Sequence, residues 1–312
     1  MVQENSLIDK ARVVVICGPT ASGKSALAVE VAKILGSCVI SADALSVYQK
    51  LDVGTAKPTF AEMQGVPHYM LDVVSPKDSF SVGDYRELAL PVLNEFVQKG
   101  NVPVICGGTG FYVDSLLYNY SYGNHGADLV AREKYYSLAK QFGNAYVYGI
   151  LKEKDYATAV KLHENDLKRV IRALEICDNG IKKSEISDEK TPVFNYKAFA
   201  YDYTRETLYN RINSRVDKMI ENGLIYEVKS LMDEGITIDN QCMQGIGYKE
   251  IYSFLIGESD LNEAIEKIKQ NSRRYAKRQI TYFKKLNNLI YLTPPRNESE
   301  IKLQAKRIAD SL

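Results

Sequence analysis

The chain has 312 residues, 45% apolar and 25% charged, an ordinary composition for a soluble globular protein with one large domain or two. The 40 Lys and Arg against 39 Asp and Glu leave a formal net charge of +1, which excludes neither nucleic acid nor a small anion, because the placement of charge decides that. No secretory signal or membrane-length apolar run is present, five scattered cysteines (Cys17, Cys38, Cys106, Cys177, Cys242) read as reduced core residues, and His68, His125 and His163 lack ligand-spaced neighbours. A cytoplasmic protein without a zinc site is therefore expected.

The first predicted element is a strand over 13–17, followed by Gly18, Pro19, Thr20, Ala21, Ser22, Gly23, Lys24 and Ser25. This octet satisfies the phosphate-loop pattern G-x-x-x-x-G-K-[ST], set between an apolar strand and a helix over 24–35 that Gly36 stops. Its glycines let backbone N–H groups face phosphate oxygens, and the helix adds its positive end. Lys24 would bind phosphate charge and Ser25 would hold Mg²⁺. A second strand over 38–41 completes a βαβ rhythm, which predicts a parallel sheet.

Asp43 comes directly off that second strand. At a strand's carboxyl end it borders the expected ligand crevice, where a carboxylate can take a proton; the alternative is a loop Asp that turns the chain. A strand over 69–74 contains Asp72, readable as a metal-site acid or as a strand-end Asp. A helix over 82–99, with Pro91 as a possible kink, leads to a strand over 102–106. That strand runs into "GGTG" at 107–110 with no acid at its end, which weakens a nucleotide-hydrolase reading. Thr109 in this turn is placed either to hydrogen-bond a phosphate or bridging oxygen or simply to join strand to helix.

Residues 123–196 show helical periodicity without a convincing buried strand, and so read as a helical insertion carrying the basic set Lys168, Arg169 and Arg172. A strand over 198–201, two long helical patterns flanking "MQGIGYKEI", and a strand over 289–292 follow. From 267 to 285 there are eight basic residues and no acid, interleaved with Tyr275, Tyr282 and Phe283. Arg274 and Arg278 share one helical face and Arg273 and Lys277 the adjacent one, a footprint for an anionic polymer; the alternative is a solvated helix face with core aromatics.

Taken together, "GPTASGKS", "SAD…VYQKLDVGTAKP", "PHYMLDV", "GGTGFY", "NDLKRVIRALEI", "LYNRINSRVDKMIENGL", "QGIGYKEI" and "RRYAKRQITYFKK" resemble the tRNA dimethylallyltransferase family, in order from about 13 to 286. The resemblance implies a P-loop NTPase-like α/β core, its parallel sheet flanked by helices, over 1–122 and 197–312. A mainly helical tRNA-binding domain would be inserted over 123–196. It further implies transfer of the dimethylallyl group of dimethylallyl diphosphate to N6 of the adenosine 3′ to the anticodon, position 37, with Mg²⁺ as cofactor.

On the same resemblance, Asp43 is the general base, Thr109 holds the bridging oxygen, and residues 18–25 cradle the diphosphate. The tRNA-contacting positions are then Asp43, Ala44, Leu45 and Ser46; Lys168, Arg169, Val170, Ile171 and Arg172; Gln244, Gly245, Ile246, Gly247, Tyr248 and Lys249; and Lys277, Arg278, Gln279, Ile280, Thr281, Tyr282, Phe283 and Lys284. Some relatives have Arg where Gln244 stands, implying a polar contact here. Without the Cys/His finger of eukaryotic relatives, a bacterial-type enzyme is expected, acting as a monomer on the tRNA anticodon stem-loop. The rivals are an adenylate prenyltransferase of the cytokinin type, which needs no long cationic surface, and a P-loop small-molecule kinase. A binding module without catalysis leaves the phosphate loop unexplained.

Overall fold

The computed structural model describes residues 12–119, 128–186 and 191–312. The chain forms two compact units, one running to Tyr118 and resuming at Pro192, the other Asn119–Thr191. In chain order the first unit contributes β1 (Arg12–Cys17), α1 (Lys24–Leu35), β2 (Val39–Ala42), α2 (Phe60–Met63), β3 (His68–Tyr69), α3 (Val82–Gln98), β4 (Val104–Gly107) and α4 (Gly110–Leu117). The second unit holds α5 (Leu129–Phe142), α6 (Asn144–Lys154), α7 (Tyr156–Ala159) and α8 (Leu167–Asp178). The first then resumes with β5 (Asn195–Tyr201), α9 (Arg205–Glu221), α10 (Leu224–Asp233), α11 (Tyr248–Leu255), α12 (Leu261–Phe283), β6 (Leu289–Leu292) and α13 (Glu298–Asp310).

The six strands form one sheet in the order β3-β2-β4-β1-β5-β6, every neighbouring pair parallel. Helices cover both faces, which is why β1 is apolar without alternation and buried from Val13 to Cys17. On one face α1 and α13 pack Leu27, Ala28, Val31, Ala305 and Ile308 against Val14, Ile16 and Phe199. Elsewhere in this unit Tyr85 of α3 stacks on Tyr112 of α4 at 3.9 Å and donates its hydroxyl to the carbonyl of Ser41. β1 continues into the phosphate loop from a position between β4 and β5. All strands run the same way, so the loops after β1, β2 and β4 gather along one edge of the sheet.

Two bounds expected from the sequence shift in the structure. The strand expected over 69–74 is only His68–Tyr69, because Met70 and Asp72 take positive φ values of 64° and 55° that break the extended backbone. Pro91 lies inside α3, which continues past it to Gln98. Asn195 and Tyr196, read from periodicity as the end of the insertion, open β5, while the insertion's expected start at 123, like His125, lies outside the described residues.

The helical unit has its own core, with Tyr135, Val147, Leu151, Val170, Ile171 and Leu174 buried together. Two buried carboxylates brace it. Glu175 accepts from Arg132, Arg172 and the backbone N–H of Asp128. Asp155 caps α7 by accepting from the Thr158 N–H at 3.0 Å, the Thr158 hydroxyl at 2.6 Å and the Ser184 N–H at 2.9 Å. Burial alone would raise the Asp155 carboxyl, but the hydrogen bonds from Thr158 and Ser184 outweigh it and hold the group at about 2. Its stabilisation is therefore present above the unfolded value near 3.8 and is lost as pH falls toward 2. Asp155→Asn is expected to destabilise this unit by about 1–3 kcal/mol at pH 7. Urea unfolding of both proteins from pH 7 to pH 2 checks this: the gap should close below pH 4, and a gap independent of pH would refute the assignment.

Candidate active site

A cavity of about 400 Å³ opens where the loops after β1, β2 and β4 meet α9 and α12. Its walls include Thr20, Lys24 and Ser25 of the phosphate loop, Asp43, Ala44, Leu45 and Ser46 after β2, and Gly107 at the end of β4. Arg215, Gln244, Gly245, Ile246, Lys249, Tyr275, Arg278 and Gln279 come from the C-terminal half of the chain. Lys24, Arg215, Lys249 and Arg278 give it four strong cations, and among its described walls Asp43 is the single carboxylate. That balance suits an anion with a proton acceptor beside it.

The anion end is built from backbone. Gly23, at φ 85°, turns the chain into α1 with no side-chain cap and no acid in the first turn, so the helix presents unpaired N–H groups to the cavity. Lys24 Nζ reaches only the carbonyl of Pro19, at 3.2 Å. Burial pushes its ammonium below the ordinary range; Cys106 and Asp43 oppose that shift and Arg215 adds to it. Buried Ser22 Oγ and Arg215 Nε have no hydrogen-bond partner, although Arg215 donates through Nη2 to the carbonyl of Thr55 at 2.8 Å. Burial also lowers Arg215, with Asp43 opposing. Of these, Lys24 and Arg215 line the cavity, and desolvated cations around one space bind phosphate oxygens far more strongly than exposed ones.

The second end centres on Asp43. Its Oδ1 accepts from the N–H groups of Leu45 and Ser46 at 3.0 and 3.2 Å, fixing the carboxylate's direction and leaving Oδ2 for a ligand. Thr109, the N-cap of α4, is tied to the same loop: its N–H donates to the Ala42 carbonyl and its Oγ1 accepts from the Ala44 N–H, both at 3.0 Å. The loop reading of both residues holds, since each turns the chain; Asp43 also lines the cavity, whereas Thr109 stands behind it, bound to the same loop. Burial pushes the Tyr275 hydroxyl up to about 12, Asp43 adding to the shift, with Thr109 and Gln279 pulling back.

Asp72 does not line the cavity. It pairs with Lys57 at 2.6 Å, and Lys57 also pairs with Asp52 at 2.6 Å. Among the described residues no cluster of His, Cys, Asp or Glu could hold a metal ion by itself. Hard oxygen donors are nevertheless present in the Ser25 hydroxyl and Asp43. A hydrated magnesium ion held chiefly by substrate phosphates requires no more than that from the protein.

The remaining candidate residues divide. Val170 and Ile171 are buried in the helical unit's core, whereas Lys168 and Arg169 are exposed and Arg172 pairs with Glu175. Gly247 and Tyr248 turn inward, with the Tyr248 hydroxyl donating to Glu227 at 2.6 Å. On α12, Lys277, Arg278, Thr281 and Lys284 are exposed, Phe283 is buried, and Ile280 packs beside Leu208 and Ile212. Gln279 is buried at 4% exposure, and the Tyr282 hydroxyl donates to Asp114 at 2.6 Å.

Sequence reasoning missed Arg215 and Glu227. The signal was there in α9, where Arg215 sits among Leu208, Ile212 and Val216 on the apolar stripe, a position where an unpaired cation is costly without function. Glu227 likewise shares the apolar face of α10 with Leu224 and Leu231. It accepts from the backbone N–H groups of Asp52, Val53 and Gly54, holding the loop whose Thr55 carbonyl anchors Arg215.

A parallel sheet with a phosphate loop after β1, facing a cationic cavity with one carboxylate, defines a P-loop α/β protein built to act on a phosphorylated ligand. A profile of the family described as IPP transferase matches residues 46–286. A tRNA dimethylallyltransferase of Acetivibrio thermocellus is 43% identical over 295 residues, 93% of this chain and 94% of its own. Another of Bacillus cereus is 42% identical over 310 residues, 96% and 98%. Among solved structures, the tRNA isopentenylpyrophosphate transferase of Bacillus halodurans aligns with a TM-score of 0.70 at 39% identity, covering 96% of both chains. A eukaryotic dimethylallyltransferase captured acting on tRNA aligns with a TM-score of 0.81 at 28% identity, covering 96% of this chain and 77% of its own. The chain belongs to the tRNA dimethylallyltransferase family of prenyltransferases.

Proposed function

We propose that the protein transfers the dimethylallyl group of dimethylallyl diphosphate to N6 of adenosine 37 in tRNA. The N6–carbon bond forms as the carbon–oxygen bond to diphosphate breaks. The N6 proton passes to Asp43, and diphosphate leaves. The observation that carries this reading is the cavity itself, which joins the phosphate loop and one oriented carboxylate beside a helix with exposed cations, Thr109 being bound to the carboxylate's own loop.

An exocyclic adenine amine is a poor nucleophile because its lone pair is delocalised into the ring, so removing its proton during attack lowers the barrier. Asp43, held by Leu45 and Ser46, is the base. Lys24, Arg215 and the first-turn N–H groups of α1 stabilise charge growing on the diphosphate, and the Thr109 hydroxyl donates to the bridging oxygen. Mg²⁺, held at the Ser25 hydroxyl, supplies further neutralisation of the leaving group when bound. The base must leave its stack to reach Asp43, so an anticodon loop is the fitting acceptor.

The exposed cations of α12 support tRNA as partner, and those of α8 support the helical unit as the domain that grips the anticodon stem. No helix among the described residues is long and apolar enough to cross a membrane. Labelled dimethylallyl diphosphate with Mg²⁺, offered in turn unmodified tRNA, AMP or no acceptor, tests the reading. Label is expected in tRNA alone; equal labelling of AMP would overturn it in favour of an adenylate prenyltransferase.

A further inference from the structure

Gln279 stands among cationic neighbours on α12, yet its side chain is buried and spans two loops of the catalytic edge. Its Oε1 accepts from the Thr20 N–H of the phosphate loop at 2.9 Å, and its Nε2 donates to the Gly108 carbonyl at 2.9 Å. An amide offers an acceptor and a donor side by side without charge, so it satisfies both backbone groups at once. The fit is close: a Cβ at Gly108 would collide with the Gln279 amide nitrogen, so only glycine admits the contact. One turn away on either side along the same face, Tyr275 lines the cavity and Tyr282 donates to Asp114 in α4. The opposite face exposes Arg274, Lys277, Thr281 and Lys284.

We propose that Gln279 is a positioning residue that couples RNA docking on α12 to the affinity of the diphosphate site. This inference rests on the tRNA reading above. RNA held on the outer face fixes the helix, and through Gln279 the helix fixes the separation of the phosphate loop from the β4–α4 turn that carries Thr109. Diphosphate seated in the loop favours the same setting of the helix. Each ligand therefore tightens the other by the same factor.

Calorimetric titration of inorganic diphosphate with Mg²⁺, with and without an unmodified anticodon stem-loop RNA, tests the coupling in the wild type, Q279A and Q279E. In the wild type, RNA should tighten diphosphate by at least about fivefold. In Q279A the ratio should fall to near one, whatever the change in affinity for either ligand alone. Q279E keeps the acceptor for Thr20 but sets a carboxylate against the Gly108 carbonyl, and should also lose the coupling. Thermal unfolding confirms that each variant is folded, and Q279M, of equal length, serves if Q279A is not. A wild-type ratio of one, or an undiminished ratio in a folded variant, overturns the coupling alone. Failure of the wild type to bind the RNA overturns the tRNA reading and the coupling with it.

Discussion

Asp43→Asn is expected to lower kcat by about 10²–10⁴-fold, the range for removing a positioned general base, while leaving tRNA affinity within a few-fold of the wild type. The substitution isolates the chemistry, because asparagine keeps an oxygen to accept from the Leu45 and Ser46 N–H groups and so preserves the turn. What it removes is the basic oxygen and the negative charge of the cavity's single carboxylate. Single-turnover rates at saturating donor, alongside filter-binding of tRNA, separate the two effects. Turnover near the wild-type rate would remove Asp43 as the base and leave it as a turn residue.

Lys24→Met should lower the single-turnover rate by about 10²–10³-fold, the cost of losing one preorganised charge at the site where charge develops. Methionine approximates the length and bulk of lysine, so α1 and the loop should persist. The ammonium is costly to keep in place: burial opposes its charge and its one hydrogen bond is to the Pro19 carbonyl. A diphosphate arriving at the cavity repays that desolvation, so the variant should bind inorganic diphosphate more weakly and lose more in rate than in affinity. A rate within threefold of the wild type would show that Arg215 and the loop amides suffice.

Local features were the legible ones. The phosphate loop is written in eight consecutive residues, and the alternation of apolar runs with helical patterns predicted a parallel sheet before any contact was known. Asp43 and Thr109 could be picked out because strand ends in such a sheet border its crevice. Contacts between distant parts of the chain were not legible. Gln279 meets Thr20 across 259 positions; its spacing from Ala276 and Phe283 marks it as inward-facing, but nothing in the sequence names its partners. The stretches 168–172 and 277–284 are expected whole at the RNA, although a helix turns part of every 3.6-residue turn inward. Val170, Ile171 and Phe283 therefore pack in the interior. The shortening of β3 follows from left-handed backbone at Met70 and Asp72, side chains that carry no glycine-like signature for it.

The order of the sheet has a consequence for synthesis. β1 lies between β4 and β5, and β5 is translated only after the whole helical unit. The back of α1, whose first turn forms the phosphate loop, is covered by Ala305 and Ile308 of α13. On the ribosome, the helical unit, continuous in the chain and with its own core, can fold as soon as it emerges. The catalytic edge waits with β1 unpaired on one side and α1 uncovered until the last helix is released. The phosphate-loop edge is therefore expected to order late in synthesis, once β5 has paired with β1 and α13 has covered α1.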